Sequence, residues 1–102
     1  MRLNVLERLV ALSILPKEGD FATLRILTQM RLSLGFTEEE LKVWGITTDL
    51  ETNQTRWQVN GEEEIPFGEK ATDILVEALK QKNSSKSLPL MAMSLYEKFI
   101  PS

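Results

Sequence analysis

A chain of 102 residues, 42% hydrophobic and 26% charged, is long enough to bury one core without covalent staples and too apolar to stay disordered. It has no Cys and no His, which excludes disulfides, thiolate nucleophiles, imidazole bases and ordinary zinc or haem ligation; a metal would find only oxygen ligands, the preference of Mg or Ca. The net charge of −3 conceals an acidic middle: residues 36–69 hold two basic and nine acidic groups, whereas 1–35 and 70–102 each hold five basic and three acidic, so the middle repels nucleic-acid phosphates or forms a solvated face.

The run from Leu3 to Leu15 is interrupted by Asn4, Glu7 and Arg8 and has no small-residue cleavage site after it, so it does not read as a signal peptide. No apolar run approaches the roughly 18 residues of a membrane span. The expectation is a cytoplasmic protein with no membrane contact.

Residues 3–15 predict a first helix, with Leu6, Leu9, Val10 and Ile14 as its apolar stripe and Leu3, Val5 and Leu12 widening it. Asn4 and Glu7 have the spacing of a capping box, and Pro16 stops the helix. Lys17-Glu18-Gly19 is a turn in which Gly19 is suited to positive φ, and Asp20 caps a second helix over 21–34. Its expected stripe is Phe21, Leu24, Leu27 and Met30 with Ile26 and Leu34 alongside, and Gly35 is expected to end it as C′. So short a connection makes the two helices antiparallel neighbours.

Thr37 through Glu40 form a second capping box, opening a short helix over 38–44 with Leu41 and Trp44 turned inward and Gly45 at its end. The period then becomes two. Ile46, Thr48 and Leu50, then Trp57 and Val59, alternate with polar residues across Thr52–Thr55, which predicts a β-hairpin. Glu62–Phe67 is a possible third strand, held to an edge by Pro66. Residues 69–82 predict a helix through Ala71, Ile74, Leu75, Ala78 and Leu79. A last helix is expected over 88–99, with Leu88, Met91, Ala92, Leu95 and Phe99 on one face, and Pro101 ends the order. The fold class is therefore α+β and mostly helical: an N-terminal helical hairpin with a short third helix, a central β-hairpin and two C-terminal helices. Nothing divides the chain, so one domain is expected over 1–102, with 83–87 as a possible flexible joint.

No motif carries chemistry. Glu62-Glu63-Glu64 alternate faces on a strand and cannot converge on one ion. Thr37–Glu40 is explained by capping, and Ser84-Ser85 beside lysines lacks an oxyanion hole or an elbow. The glycines form no phosphate-binding pattern. Trp44 and Trp57 are core residues or interface anchors. The helix-helix-helix-hairpin order resembles a winged helix, but the element in the recognition position presents Glu38, Glu39, Glu40 and Lys42, which a phosphate backbone repels. Arg2, Arg8, Arg25 and Arg31 would be the phosphate contacts of that alternative.

Two stretches, Leu6-Glu7-Arg8-Leu9-Val10-Ala11-Leu12-Ser13-Ile14-Leu15-Pro16-Lys17-Glu18-Gly19-Asp20-Phe21 with Thr23-Leu24, and Phe36-Thr37-Glu38-Glu39-Glu40, resemble a group of small hypothetical proteins of bacteriophage and prophage genomes. Gly68-Glu69-Lys70-Ala71 and Ser94-Leu95-Tyr96-Glu97-Lys98-Phe99-Ile100 fit the same group, so the resemblance covers nearly the whole chain. It implies a phage origin and a bacterial cytoplasm, and it carries over no functional residue.

The leading expectation is a non-enzymatic accessory protein with no cofactor and no metal, acting on a protein partner of host or phage, in host takeover or counter-defence, or on a second copy of itself. It rests on broad apolar helix faces in so short a chain. Candidate interface residues are Trp57, Leu95 and Phe99, with Lys17 and Glu18 at the tip of the first corner. The alternatives are a winged-helix-like nucleic-acid-binding regulator and an oligomer that sequesters a small ligand. Absence of affinity for duplex or single strands at low salt would remove the former, and ligand-free protein purified from infected cells the latter.

Overall fold

Three polar side chains set where the first three helices begin. In the computed structural model, which describes residues 1–100, Asn4 caps α1 (Val5–Ile14), Asp20 caps α2 (Phe21–Leu34) and Thr37 caps α3 (Glu38–Val43). Asn4 Oδ1 accepts from the Glu7 N–H at 2.8 Å while Glu7 Oε1 accepts from the Asn4 N–H at 3.0 Å. Thr37 and Glu40 repeat that reciprocal box at 3.1 and 2.9 Å. Each box satisfies two donors that a helix start leaves without partners. Pro101 lies outside the described residues.

Four three-residue strands form two antiparallel pairs. β1 (Arg2–Asn4) lies beside β4 (Glu62–Glu64), and β2 (Thr47–Asp49) beside β3 (Gln54–Arg56). The first helix therefore starts at Val5, two residues later than the apolar pattern suggested, because Leu3 and Asn4 are drawn into pairing with Glu63 and Glu62. The third strand is real but shorter than 62–67, and its partner is the N-terminus, not the hairpin. The Met1 ammonium closes that end, donating to Glu64 Oε1 at 2.6 Å and to the Ile65 carbonyl at 3.2 Å. The architecture is a mostly helical α+β fold.

The core gathers on α1. Leu3, Val10, Ala11 and Ile14 meet Leu27, Met30 and Leu34 of α2, Leu75 and Leu79 of α4 (Glu69–Ser84), and Leu95 of α5 (Met93–Phe99). Each such leucine contributes about 1.5–3 kcal/mol through its removal from water. Two stripes differ from expectation. On α2, Phe21 is 75% exposed and Leu24 is exposed too, whereas Leu27, Met30 and Leu34 are buried. A spacing of three loses about 60° per step on a 3.6-residue helix, so Phe21 and Met30 lie on opposite sides. On α1 the inward side includes Glu7 and Arg8, and Leu6 and Leu9 are left half-buried.

Chain reversals differ as well. Gly35 ends α2 at φ −66°, with its N–H bonded to the Arg31 carbonyl, and needs no left-handed backbone. Among the described residues the only glycine with positive φ is Gly45, at +62°, which turns the chain from α3 into Ile46; Gly19, expected to take such a φ, does not. Asn83 and Ser84 belong to α4, and Lys86 at φ 57° with the Ser87 N–H on the Lys82 carbonyl wraps its end. The last helical segment is split: Leu90–Ala92 is a 3-10 turn opened by Pro89, and only then does α5 follow. Met91, expected on its inner face, is exposed. The closed turn of the hairpin is Leu50–Asn53, two residues earlier than the polar stretch suggested, with Asn53 at φ 57°.

Candidate functional site

Consecutive residues on α1 place two opposite charges in the interior. Arg8 is held from α2, the following loop and α3. Its Nε donates to the Leu34 carbonyl at 3.0 Å, its Nη2 to the Gly35 carbonyl, and its Nη1 to Glu40 Oε2 at 2.9 Å. The guanidinium also lies over the Phe36 ring, 4.2 Å from its centroid. Glu7 is held from α5: Lys98 Nζ donates to Glu7 Oε1 at 2.7 Å and to the Arg2 carbonyl at 2.9 Å.

Both carboxylates titrate below their ordinary value of 4.5. Burial alone would raise Glu7. The Lys98 hydrogen bond, the Asn4 N–H, the Ser94 hydroxyl and the Lys98 charge together outweigh it. Burial would likewise raise Glu40, and the Arg8 hydrogen bond, the Thr37 N–H and the Arg8 charge hold it down. A general acid at neutral pH needs the opposite shift. These carboxylates are engaged as anions in ion pairs that fasten α3 and α5 to α1.

Of the shallow grooves among the described residues, two border this seam. The first, of about 410 Å³, runs along the outer side of α1 and is lined by Leu6, Leu9, Val10, Ser13, Asn53, Thr55, Trp57 and Met91. It exists because Leu6 and Leu9 are displaced from the inward side by Glu7 and Arg8. The Asn60 side chain accepts from the Leu6 N–H at 3.2 Å and fastens the segment after Trp57 to α1. The second, of about 330 Å³, lies between α3 and β4 and is lined by Thr37, Glu39, Glu40, Val43, Trp44 and Glu63.

Of the residues singled out in the sequence, Trp57 lines the first groove and is half-buried. Leu95 is fully buried in the core and cannot meet a partner. Phe99 is half-buried and packs edge-on against Phe67, with centroids 5.5 Å apart. Lys17 and Glu18 are exposed at the first corner, away from both grooves. Arg8 is enclosed in its ion pair, which withdraws it from phosphate contact; Arg2, Arg25 and Arg31 are exposed, and Arg31 donates to the Pro16 carbonyl at 3.3 Å. No group of three carboxylates among the described residues is placed to hold a metal, and no helix among them is long and apolar enough to cross a membrane. The second groove escaped sequence reasoning because Glu63 reaches it only through the β1–β4 pairing. No family model matches this chain, and neither a curated protein nor a solved structure matches it.

Proposed function

We propose that this chain is a non-enzymatic accessory protein that binds a protein partner through the groove along α1. The observation that carries the reading is that groove itself: Leu6 and Leu9 of α1, with Trp57 and Met91 from elsewhere in the chain, line an open groove along the helix around which the core is built. A large aromatic beside aliphatic walls is the composition of an interface anchor pocket. The lowered titration of Glu7 and Glu40 supports the non-enzymatic part. The phage resemblance supports a setting in the cytoplasm of an infected bacterium, with host takeover or counter-defence as the process.

A photo-crosslinking residue placed at Met91 tests the reading, with the same residue at Lys17 as control. A discrete protein adduct in bacterial cells from position 91 and none from position 17 is expected. No adduct at 91, or the same adducts from both positions, overturns it. Light scattering on the purified chain shows whether the adduct partner is a second copy.

A further inference from the structure

The groove between α3 and β4 differs from the first in carrying charge. Thr37, Val43 and Trp44 line it together with Glu39, Glu40 and Glu63. Glu40 is neutralised from behind by Arg8. Glu39 and Glu63 are exposed and take part in no ion pair among the described residues. On β4 the alternation of side chains separates Glu63 from its neighbours, and Glu64 is occupied by the Met1 ammonium.

The backbone of Trp44 is fixed, and Gly61 packs against its ring. The Trp44 carbonyl accepts from the Gln58 and Val59 N–H groups at 2.9 and 3.1 Å, and its own N–H donates to the Glu40 carbonyl at 3.0 Å. Gly61 lies so close that a Cβ there would stand 2.0 Å from the indole Cε2. A held indole with two uncompensated carboxylates beside it suits a planar cation, which stacks on an aromatic face while donating to carboxylate oxygens. The molecule already contains that recognition internally. On the other side of Glu40, the Arg8 guanidinium lies over Phe36 and bonds the carboxylate.

We infer that the α3–β4 groove, built from Trp44, Val43, Glu39 and Glu63, receives an arginine side chain from a basic segment of a partner protein. This deepens the protein-binding reading above and rests on it, but uses a different surface. Charge complementarity selects the occupant: the groove lies in the acidic third of the chain, which excludes phosphate-bearing partners and favours a guanidinium over an apolar helix. Lys42 on α3 and Arg56 on β3, the two basic residues of the acidic third, are exposed, and neither lines the groove.

The test is calorimetric titration of the intact chain with an eight-residue peptide of alternating Arg and Ser, and with its Lys and Glu counterparts. Emission of Trp44 in a Trp57→Phe variant provides a second readout. Saturable binding of the Arg peptide is expected, stronger than that of the Lys peptide and weakened about tenfold between about 50 and 300 mM salt, as contacts between exposed charges are screened. The Glu39→Lys/Glu63→Lys variant should abolish it with an unchanged melting midpoint. Heat without saturation, equal binding of the Glu peptide, or binding that survives the double reversal overturns the inference. Those failures leave the Met91 adduct untouched, whereas loss of that adduct with peptide binding intact overturns the α1-groove reading alone. A Trp44 response that grows with protein concentration in the absence of peptide identifies a second copy as the occupant and likewise overturns it.

Discussion

Glu7 and Arg8 are each 1% exposed, whereas Leu50 at the hairpin turn is 93% exposed and Leu90 81%. The two regions invert the usual placement, charge inside and apolar groups outside, and physical chemistry treats the inversions unequally. A buried charge is tolerated only with partners, and Arg8 has three oxygen-bearing residues and an aromatic face to hold it. An exposed leucine needs no compensation at all. The seam is therefore fixed by its surroundings and its identity is structural. Leu50 and Leu90 are under no such constraint from the fold, although Ala92 of the same 3-10 turn is buried in the core.

The largest expected effect comes from breaking the seam. Arg8→Met leaves the Glu40 carboxylate and the Leu34 and Gly35 carbonyls without their donor. Removing one member of a buried pair costs about 3–5 kcal/mol, read as the shift in a urea transition. Adding Glu40→Gln should recover part of the loss, since the stranded charge is then gone. A single-variant cost below about 1 kcal/mol would place Arg8 among surface-like ion pairs and erase the contrast.

Next in size is Gly61→Ala. A methyl there meets the Trp44 indole, not the end of a flexible chain. Displacing a packed ring costs about 1–3 kcal/mol, and in a Trp57→Phe background the emission of Trp44 should shift with it. Stability lost with unmoved emission would show that backbone adjustment, not the ring, absorbs the clash.

Acid tests the seam without mutation. Glu7 and Glu40 have folded pKa values below the ordinary 4.5, so the unfolded chain binds protons more readily. Their contribution is complete above the ordinary carboxylate range and is lost as pH falls through the lowered folded values. Urea midpoints measured from pH 7 downward should hold steady and then fall below about pH 5. In Arg8→Met that fall should be shallower, because Glu40 no longer has a cation to hold its pKa down.

The same contrast decides what could be read from the sequence. Caps were legible because they are local: Asn4 with Glu7, Asp20 with Thr23, and Thr37 with Glu40 each act within four residues. The helix was legible over 69–82 because its apolar residues keep one side there, but not over its polar last residues, Asn83 and Ser84. The β1–β4 pairing was not, since a three-residue strand has no detectable period and its partner lies some sixty positions away. The inward turn of Glu7 and Arg8 was hidden for another reason. Their partners, Lys98 and Glu40, come from distant elements, and without them Glu7 reads as a capping residue alone and Arg8 as a candidate phosphate contact. That misreading also concealed the α1 groove, because it assigned Leu6 and Leu9 to the core.

The smallest expected effect is also the most diagnostic of the exposed region. Leu50 begins the hairpin turn, beside Glu51, whose N–H bonds Asp49 Oδ1 at 2.9 Å. At 93% exposure it removes almost no apolar area from water in the folded chain. Leu50→Ser should therefore change the unfolding free energy by less than about 0.5 kcal/mol, and a serine is at home in a turn. A loss greater than about 1 kcal/mol could not come from contacts within the chain. It would have to come from contacts between copies, and light scattering at the same concentration should then show an oligomer in the parent protein and a smaller species in the variant. An unchanged transition keeps Leu50 outside the folding balance.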